Sequence, residues 1–449
     1  MTAAFQDDAP TVPASGQAVQ PELPSHPLAV FHQRDLPRWA LVRQRLDATV
    51  IEDVPEAVNA ALRSVAHLIH PGQRVCLAVG SRGIDRIADV VRAAVLAIRE
   101  LGGQVFVVPA MGSHGGATAA GQLDVLASLG ITPETIGCDI RSRMDAVQIG
   151  RIEGRIPVFF DRHALDEADA VIPINRVKPH TDFTAEVESG LLKMIAIGLG
   201  KQRGAEALHA EGFAAFGRVI PAVAAYTIGR INIPFGLALI ENGHARLRRI
   251  EAVPASVMLD REPSLRDEAD RYLARLPVDA IDVLILDRIG KDISGLRMDS
   301  NVVGRYYTGP TGAGPAIQRI IVRDLTDKTQ GNAVGIGMAD VVLRRAVERM
   351  DPVKTYMNCV TAKTPEGARI ALTVESDREA LDVAIACCAG VDPMKVRLAR
   401  IRDTKNVEWF YASEPLLEQL KARGNCELVG KPMPIRFDSA AMFRDELPR

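Results

Sequence analysis

The sequence predicts an α/β protein made of two α/β domains, with parallel-rich sheets and an active site in the crevice between them. Three observations point to this class. The apolar stretch RVCLAV (74–79) is followed by a tight turn and a helical stretch, and QVFVVP (104–109) begins a second unit of the same kind. Successive strand–helix units predict parallel strands joined by right-handed crossovers. The pattern resumes at DVLILD (282–287), after a charged helical stretch.

Composition divides the chain into an arm and two halves. Residues 1–27, rich in Pro, Ala, Gln and Ser, are predicted to form a flexible N-terminal arm. Residues 28–259 are assigned to an N-terminal catalytic and cofactor domain. Residues 260–276 are charged with a thin apolar stripe, which is typical of a connecting helix. Residues 277–449 form the predicted C-terminal α/β domain.

The order of the remaining elements follows from short apolar runs and helical periodicity. Further strands are predicted at 169–175, 236–242 and 319–325, and further helices at about 118–129 and 338–350. In parallel sheets of this kind, ligands bind outside the carboxyl ends of the strands. The turns that follow the strands are therefore the first places to search for functional residues.

Charge and cysteine content exclude several classes of protein. With 54 Lys and Arg against 56 Asp and Glu, the net charge of −2 gives no field that would attract nucleic acid or an anionic membrane. No apolar run reaches the ~20 residues of a membrane span, and the N-terminus lacks signal-peptide features, so we expect a cytoplasmic location. The six cysteines form no CxxC pair, which argues against zinc, iron–sulfur or disulfide frameworks. A small molecule is the expected partner, and a homo-oligomer is left open.

Polar residues occupy the first two turns. In GSRG (80–83), Ser81 and Arg82 follow a strand and open a helix, where they could hold a phosphate or carboxylate. A tight turn with an exposed arginine is an equal alternative. In MGSHGG, His114 stands between small residues and is either open to the crevice or a capping or surface histidine.

A third cluster follows the predicted strand at 169–175. The stretch NRVKPHTDF contains His180, and SGLLKMIAIGLG places Lys193 within an apolar helical face. Such a lysine either extends its amine to the surface or is desolvated and usable for covalent chemistry. His209, sixteen positions after the lysine, is a candidate nitrogen ligand for a metal. A solvated loop is the alternative interpretation of the His180 segment.

Together these stretches resemble the nickel-dependent lactate racemase family, 2-hydroxyacid racemases and epimerases that carry a nickel-pincer nucleotide. The match consists of Arg82 in the first turn, a G-[ST]-H turn at His114, His180 shortly before Lys193, and His209 sixteen residues after that lysine. The resemblance extends from about residue 30 to about residue 440. It implies an isomerase that inverts C2 of a 2-hydroxy acid by transient hydride transfer to the cofactor.

The resemblance also implies residue roles. Lys193 would carry the nucleotide, pyridinium-3,5-dithiocarboxylate mononucleotide, as a thioamide, and His209 would ligate nickel. His114 and His180 would act in turn as base and acid on the 2-hydroxyl, and Arg82 would bind the substrate carboxylate. The turns would contact the cofactor through Ser81, Gly112 and Ser113. Cofactor-maturation enzymes are implied partners.

The sequence departs from the family pattern at several points. Val79 stands where the family has an acidic residue, and His180 precedes the lysine by thirteen positions instead of ten. The substrate-binding Gln and Lys of the second half have no clear match, and the nearest candidates are Lys291, Asp292 and Ser294. We therefore predict a substrate larger or more polar than lactate. Two alternatives stay open: a pincer-independent lyase or dehydratase on sugar acids, and a non-catalytic protein that binds a small acid.

Overall fold

A computed structural model describes residues 35–81, 83–307, 309–310 and 314–448. The arm predicted at 1–27 lies outside the described residues. The described chain is a mixed α/β protein with two large, parallel-rich sheets, as the sequence predicts. None of the described helices is both long and apolar enough to cross a membrane.

The strands number seventeen in the described part of the chain. In order they are β1 (Trp39–Gln44), β2 (Arg74–Val79), β3 (Gln104–Pro109), β4 (Ala146–Ile152), β5 (Ile156–Asp161), β6 (Ala170–Arg176), β7 (Phe235–Glu241), β8 (Leu247–Pro254), β9 (Ala280–Leu286), β10 (Arg305–Tyr306), β11 (Gly309–Pro310), β12 (Ala316–Val322), β13 (Val341–Leu343), β14 (Leu372–Val374), β15 (Leu398–Asp403), β16 (Asn406–Ser413) and β17 (Cys426–Met433).

The α-helices of the same residues number fourteen. They are α1 (Val54–Arg63), α2 (Ile87–Glu100), α3 (Ala119–Ser128), α4 (Pro133–Ile136), α5 (Arg162–Glu167), α6 (Leu191–Lys193), α7 (Lys201–His209), α8 (Phe216–Ile228), α9 (Ala255–Tyr272), α10 (Ser300–Val303), α11 (Arg344–Glu348), α12 (Pro352–Ala362), α13 (Asp377–Ala386) and α14 (Glu414–Ala422).

The first sheet has the order β3–β2–β6–β7–β8, with β8 alone antiparallel. Both of its faces are buried: Cys76 and Ala78 point into one core, and Val75 and Leu77 into the other. The chain passes from β2 to β3 on one side and then returns to β6 on the other. The strand order therefore reverses between β2 and β6, the place where ligands bind in open parallel sheets.

The second sheet has the order β14–β13–β12–β9–β15–β16–β1–β17, with β1, β16 and β17 forming an antiparallel extension. Strand β1 lies in this sheet, although the sequence pattern assigned residues 28–259 to the first domain. Its Ala40 and Val42 are fully buried in the second core, and Trp39 stacks on Tyr411 at 4.5 Å between ring centroids. The division into two domains otherwise stays a prediction.

Two further elements differ from the sequence-based expectation. The connecting helix expected at 260–276 is α9, which begins at Ala255, and its apolar stripe packs into the first core through Met258, Leu265 and Ala269. The helix expected at 338–350 is replaced at its start by β13, and only the shorter α11 follows. The second difference arises because burial of Val341, Val342 and Leu343 within the sheet outweighs local helical preference.

Candidate active site

One helical segment crosses the carboxyl ends of β2 and β3. It begins as α6, widens into a π-helical turn at Met194–Gly198, and continues as α7, so that Lys193 and His209 stand at its two ends. A Cβ at Gly198 would lie 2.6 Å from the carbonyl oxygen of Ala110, so only glycine permits this close approach. Single π-helical turns occur frequently at functional sites.

The amine of Lys193 contacts the imidazole of His180. Lys193 Nζ lies against His180 Nε2, and the backbone N–H of Asp182 donates to His180 Nδ1 at 3.0 Å. A ring that accepts at Nδ1 carries its proton on Nε2. This tautomer directs the Nε2–H at Lys193, which accepts it when its amine is uncharged. In the other tautomer, Nε2 accepts from the lysine ammonium and the Nδ1–H faces Asp182 Oδ2 at 3.4 Å.

Aromatic rings line the space between Lys193 and His209. Lys193 Nζ lies 5.7 Å from the ring centroid of Phe183, while the His209 ring lies 5.7 Å from Phe213 and 5.2 Å from Phe216. Burial against these rings favours the uncharged form of His209, whereas the face of the Phe183 ring attracts the lysine cation. The sequence analysis missed these phenylalanines, although two of them follow His209 at helical spacing.

His209 presents one nitrogen as a potential ligand. Its Nδ1 lies 2.6 Å from the carbonyl oxygen of Ala205, which can only accept, so Nδ1 carries the proton and Nε2 keeps its lone pair. Burial lowers the pKa of His209, and the Lys193 and Lys363 cations lower it further, against the opposing hydrogen bond to Ala205. Among the described residues, no group of three or more His, Cys, Asp or Glu side chains is placed to hold a metal ion.

His114 lies in the glycine-rich turn after β3. Ser81 Oγ, in the turn after β2, contacts His114 Nδ1, and Gln122 Nε2 donates to the carbonyl oxygens of Gly112 (2.9 Å) and His114 (3.3 Å). The residues predicted to contact a cofactor, Ser81, Gly112 and Ser113, therefore share the turns around this histidine. Arg82 lies outside the described residues, and its role stays a prediction.

A buried lysine that the sequence analysis missed supports this turn. Lys201, at the start of α7, is fully buried and adopts a left-handed backbone (φ 53°). Its Nζ lies 2.8 Å from Asp161 Oδ2, and it donates to the carbonyl oxygen of Pro109 (2.5 Å) and to Gln122 Oε1 (3.2 Å). The side chain thus ties the His209 helix to the His114 turn.

Residues in the second half of the chain bind the backbone of the loop that carries His180. Asn301 Nδ2 donates to the His180 carbonyl at 2.9 Å, and Ser300 Oγ donates to the Thr181 carbonyl at 2.6 Å. Lys178 and Asp299 form an ion pair at 3.3 Å in the same contact. The position of His180 therefore depends on both halves of the chain.

The candidates predicted in the second half lie in the loop after β9. The Lys291 backbone N–H donates to Thr329 Oγ1 at 3.1 Å, and Asp292 accepts from Thr326 Oγ1 at 2.5 Å. Ser294 Oγ is buried and finds no hydrogen-bond partner within the described chain, so a ligand hydroxyl could satisfy it.

Tyr306 is a second-half residue that reaches the His180 loop and that the sequence analysis missed. Its hydroxyl lies 3.5 Å from Asp182 Oδ1. Burial, followed by the Asp182 carboxylate, raises the pKa of Tyr306, so its phenol stays protonated and can donate.

A buried carboxylate lies beneath the first turn of α6. Glu262, on α9, is 1% exposed and accepts from the Leu192 backbone N–H at 3.0 Å. A Cβ at Gly190 would collide with this carboxylate, which explains the glycine there. Burial raises the pKa of Glu262 to about 7, against the opposing hydrogen bonds from Leu192 and Leu191.

We expect this group to make stability depend on pH. A carboxyl whose pKa is raised on folding binds its proton more tightly in the folded state, so its contribution is lost as the pH rises from about 4.5 to about 7, by up to ~3 kcal/mol. Glu262→Gln should flatten that decline in the free energy of unfolding measured across the range. An unchanged pH profile in this variant would assign the decline to other groups.

Comparison with known proteins gives a match in structure only. No family model matches the chain, and neither does any curated protein. The lactate racemase apoprotein from Thermoanaerobacterium thermosaccharolyticum aligns with a TM-score of 0.50 and 12% identity, over 81% of this chain and 94% of that one. A structural-genomics protein from Thermotoga maritima aligns with a TM-score of 0.47 and 15% identity, over 79% and 97%. The chain therefore has a lactate racemase-like fold.

Proposed function

We propose that this protein is a racemase or epimerase that inverts C2 of a 2-hydroxy acid and uses a nickel-pincer nucleotide. The observation that carries the proposal is the contact between Lys193 Nζ and His180 Nε2 at the end of β6. It puts a nucleophilic amine beside an acid–base group at the point where the strand order reverses. The lactate racemase-like fold supports the same conclusion.

The side chains fit the proposed cofactor. Covalent attachment requires an uncharged amine, and this is the form of Lys193 that accepts from His180 when the ring carries its proton on Nε2. His209 Nε2, which keeps its lone pair, would hold the metal of the bound nucleotide. The bound nucleotide would supply a metal and a hydride acceptor.

The two other histidines suit proton transfer from opposite sides. His114 follows β3 and His180 follows β6, with β2 between them. A substrate held over the end of β2 would therefore meet one ring on each side. Each imidazole could take the proton of the 2-hydroxyl and later return it, because the pKa of histidine lies near neutral pH.

The second half would set substrate size. The Ser294 hydroxyl, which has no partner within the described chain, and the Tyr306 phenol near Asp182 are the polar groups that would bind the additional hydroxyls of a longer acid. A polyhydroxylated 2-hydroxy acid, such as an aldonate, suits these groups better.

The amine of Lys193 also supports a second candidate. A neutral lysine beside a histidine could act directly on a sugar acid, as a lyase or dehydratase without any pincer nucleotide. This enzyme would need neither nickel nor an adduct on Lys193. The third possibility, a non-catalytic protein that binds a small acid, predicts that the acid still binds after both His114 and His180 are replaced.

Mass and metal analysis tests the proposal. Protein made in cells that contain the maturation enzymes is expected to carry nickel and a covalent adduct that peptide mapping places on Lys193. His209→Ala should lose most of the nickel but keep the adduct, because only the protein ligand is removed. Lys193→Arg should lose both.

The matched control is His163→Gln. His163 contacts Glu167 within α5, and the variant should keep both nickel and adduct. Wild-type protein that carries neither, yet converts a sugar acid, would replace the proposal with the lyase or dehydratase.

A further inference from the structure

Four of the most exposed large apolar side chains in the described chain lie on α12. Val353, Tyr356, Met357 and Val360 expose 73%, 52%, 64% and 72% of their surface. Their spacing of i, i+3, i+4 and i+7 puts them on one helical face, the pattern that normally packs against a core. Contiguous apolar surface of this kind marks an interaction site.

The helix cannot rotate to bury this face. Its opposite side is fixed by the buried Thr355, whose hydroxyl donates to the Asp351 carbonyl at 2.8 Å and accepts from the Ala333 N–H at 3.1 Å. Asn358 accepts from Arg297 at 3.0 Å. The apolar face is therefore held outward by the packing beneath it.

The exposed stripe is symmetric about its own centre. It is the sequence Val-x-x-Tyr-Met-x-x-Val, so it has the same order of small and large side chains in either direction. Two antiparallel copies related by a two-fold axis would place Val353 of each copy opposite Val360 of the other. The interdigitated Tyr356 and Met357 would then lie at the axis.

The helix dipole favours the same arrangement. In an antiparallel pair, the N-terminal end of each helix lies beside the C-terminal end of the other, so their opposite partial charges attract. The side chains at the ends add little, because Asp351, which precedes α12, is already paired with Lys354 at 3.3 Å, and the exposed Lys363 follows the helix.

We propose that the exposed face of α12 is the centre of a two-fold homodimer interface. One helical face is smaller than the ~1,600 Å² of a standard interface, so Ile370 and Leu372, which are 43% and 48% exposed, are expected to join it. The dimer should therefore be weak and depend on concentration. This inference does not rest on the proposed function.

Sedimentation velocity of the full chain over a concentration series tests the interface. Wild type is expected to change from monomer to dimer with rising concentration. Met357→Asp should raise the midpoint, the concentration at which half of the protein is dimeric, at least tenfold, because it puts like charges at the axis. Val257→Asp makes the same change at an exposed position on α9 and should behave as wild type. Met357→Cys should form a disulfide-linked dimer on oxidation.

Two outcomes would overturn the proposal. One is a monomer at every concentration, and the other is a dimer whose midpoint Met357→Asp does not move. In a monomer, protection of Met357 from hydroxyl-radical oxidation would show that another segment of the same chain covers the face.

Discussion

Replacing His180 with alanine is expected to lower turnover of the best 2-hydroxy acid by about 10²–10⁴-fold, the range for loss of a general acid–base group. The imidazole would be lost as a proton carrier, and the Lys193 amine would lose its contact with the ring. His114→Ala should have a similar effect, because its ring lies on the other side of β2.

The measurement is exchange of the C2 configuration, followed by chirality or deuterium position across a panel of acids with cofactor-loaded protein. The double variant should be little worse than either single one, since groups that act together are not additive. His163→Gln serves again as the control. A wild-type rate in His114→Ala or His180→Ala would make that histidine structural.

Asp161→Ala is expected to cost about 3–5 kcal/mol of stability, because it leaves the Lys201 ammonium buried without its counter-charge. The variant also removes the cap of α5, where Asp161 accepts from the Ala164 N–H at 2.9 Å. Lys201→Met should cost less, since it removes the buried charge itself.

Calorimetry of the variants against wild type provides the test, with Asp166→Ala as the control for loss of an exposed carboxylate on α5. A chain with several hydrophobic cores need not unfold in one step. The stabilities of the variants are therefore compared for the unfolding transition that includes the first sheet. The double variant that combines Asp161→Ala with Lys201→Met should regain part of the stability that Asp161→Ala loses. Equal stability of Asp161→Ala and the control would show that water solvates Lys201.

The accuracy of the sequence prediction depended on how local each signal is. Strands β2 and β3 were placed correctly because strands buried on both faces are short continuous apolar runs bounded by turns. The residues of β13 have helical neighbours and were predicted as helix. They form a strand because Val341, Val342 and Leu343 are fully buried within the second sheet.

The sequence alone determined the alternation of strands and helices, and it located His114 and His180 in the segments that follow parallel strands, with Lys193 and His209 on helical stretches beyond them. These features depend on hydrophobic periodicity and turn residues, which act over a few positions. Only the tertiary structure decided that Lys201 pairs with Asp161, that Asn301 holds the loop of His180, and that β1 joins the second sheet. Such pairings are set by the crossover connections and by the need to satisfy buried polar groups, which no local pattern records.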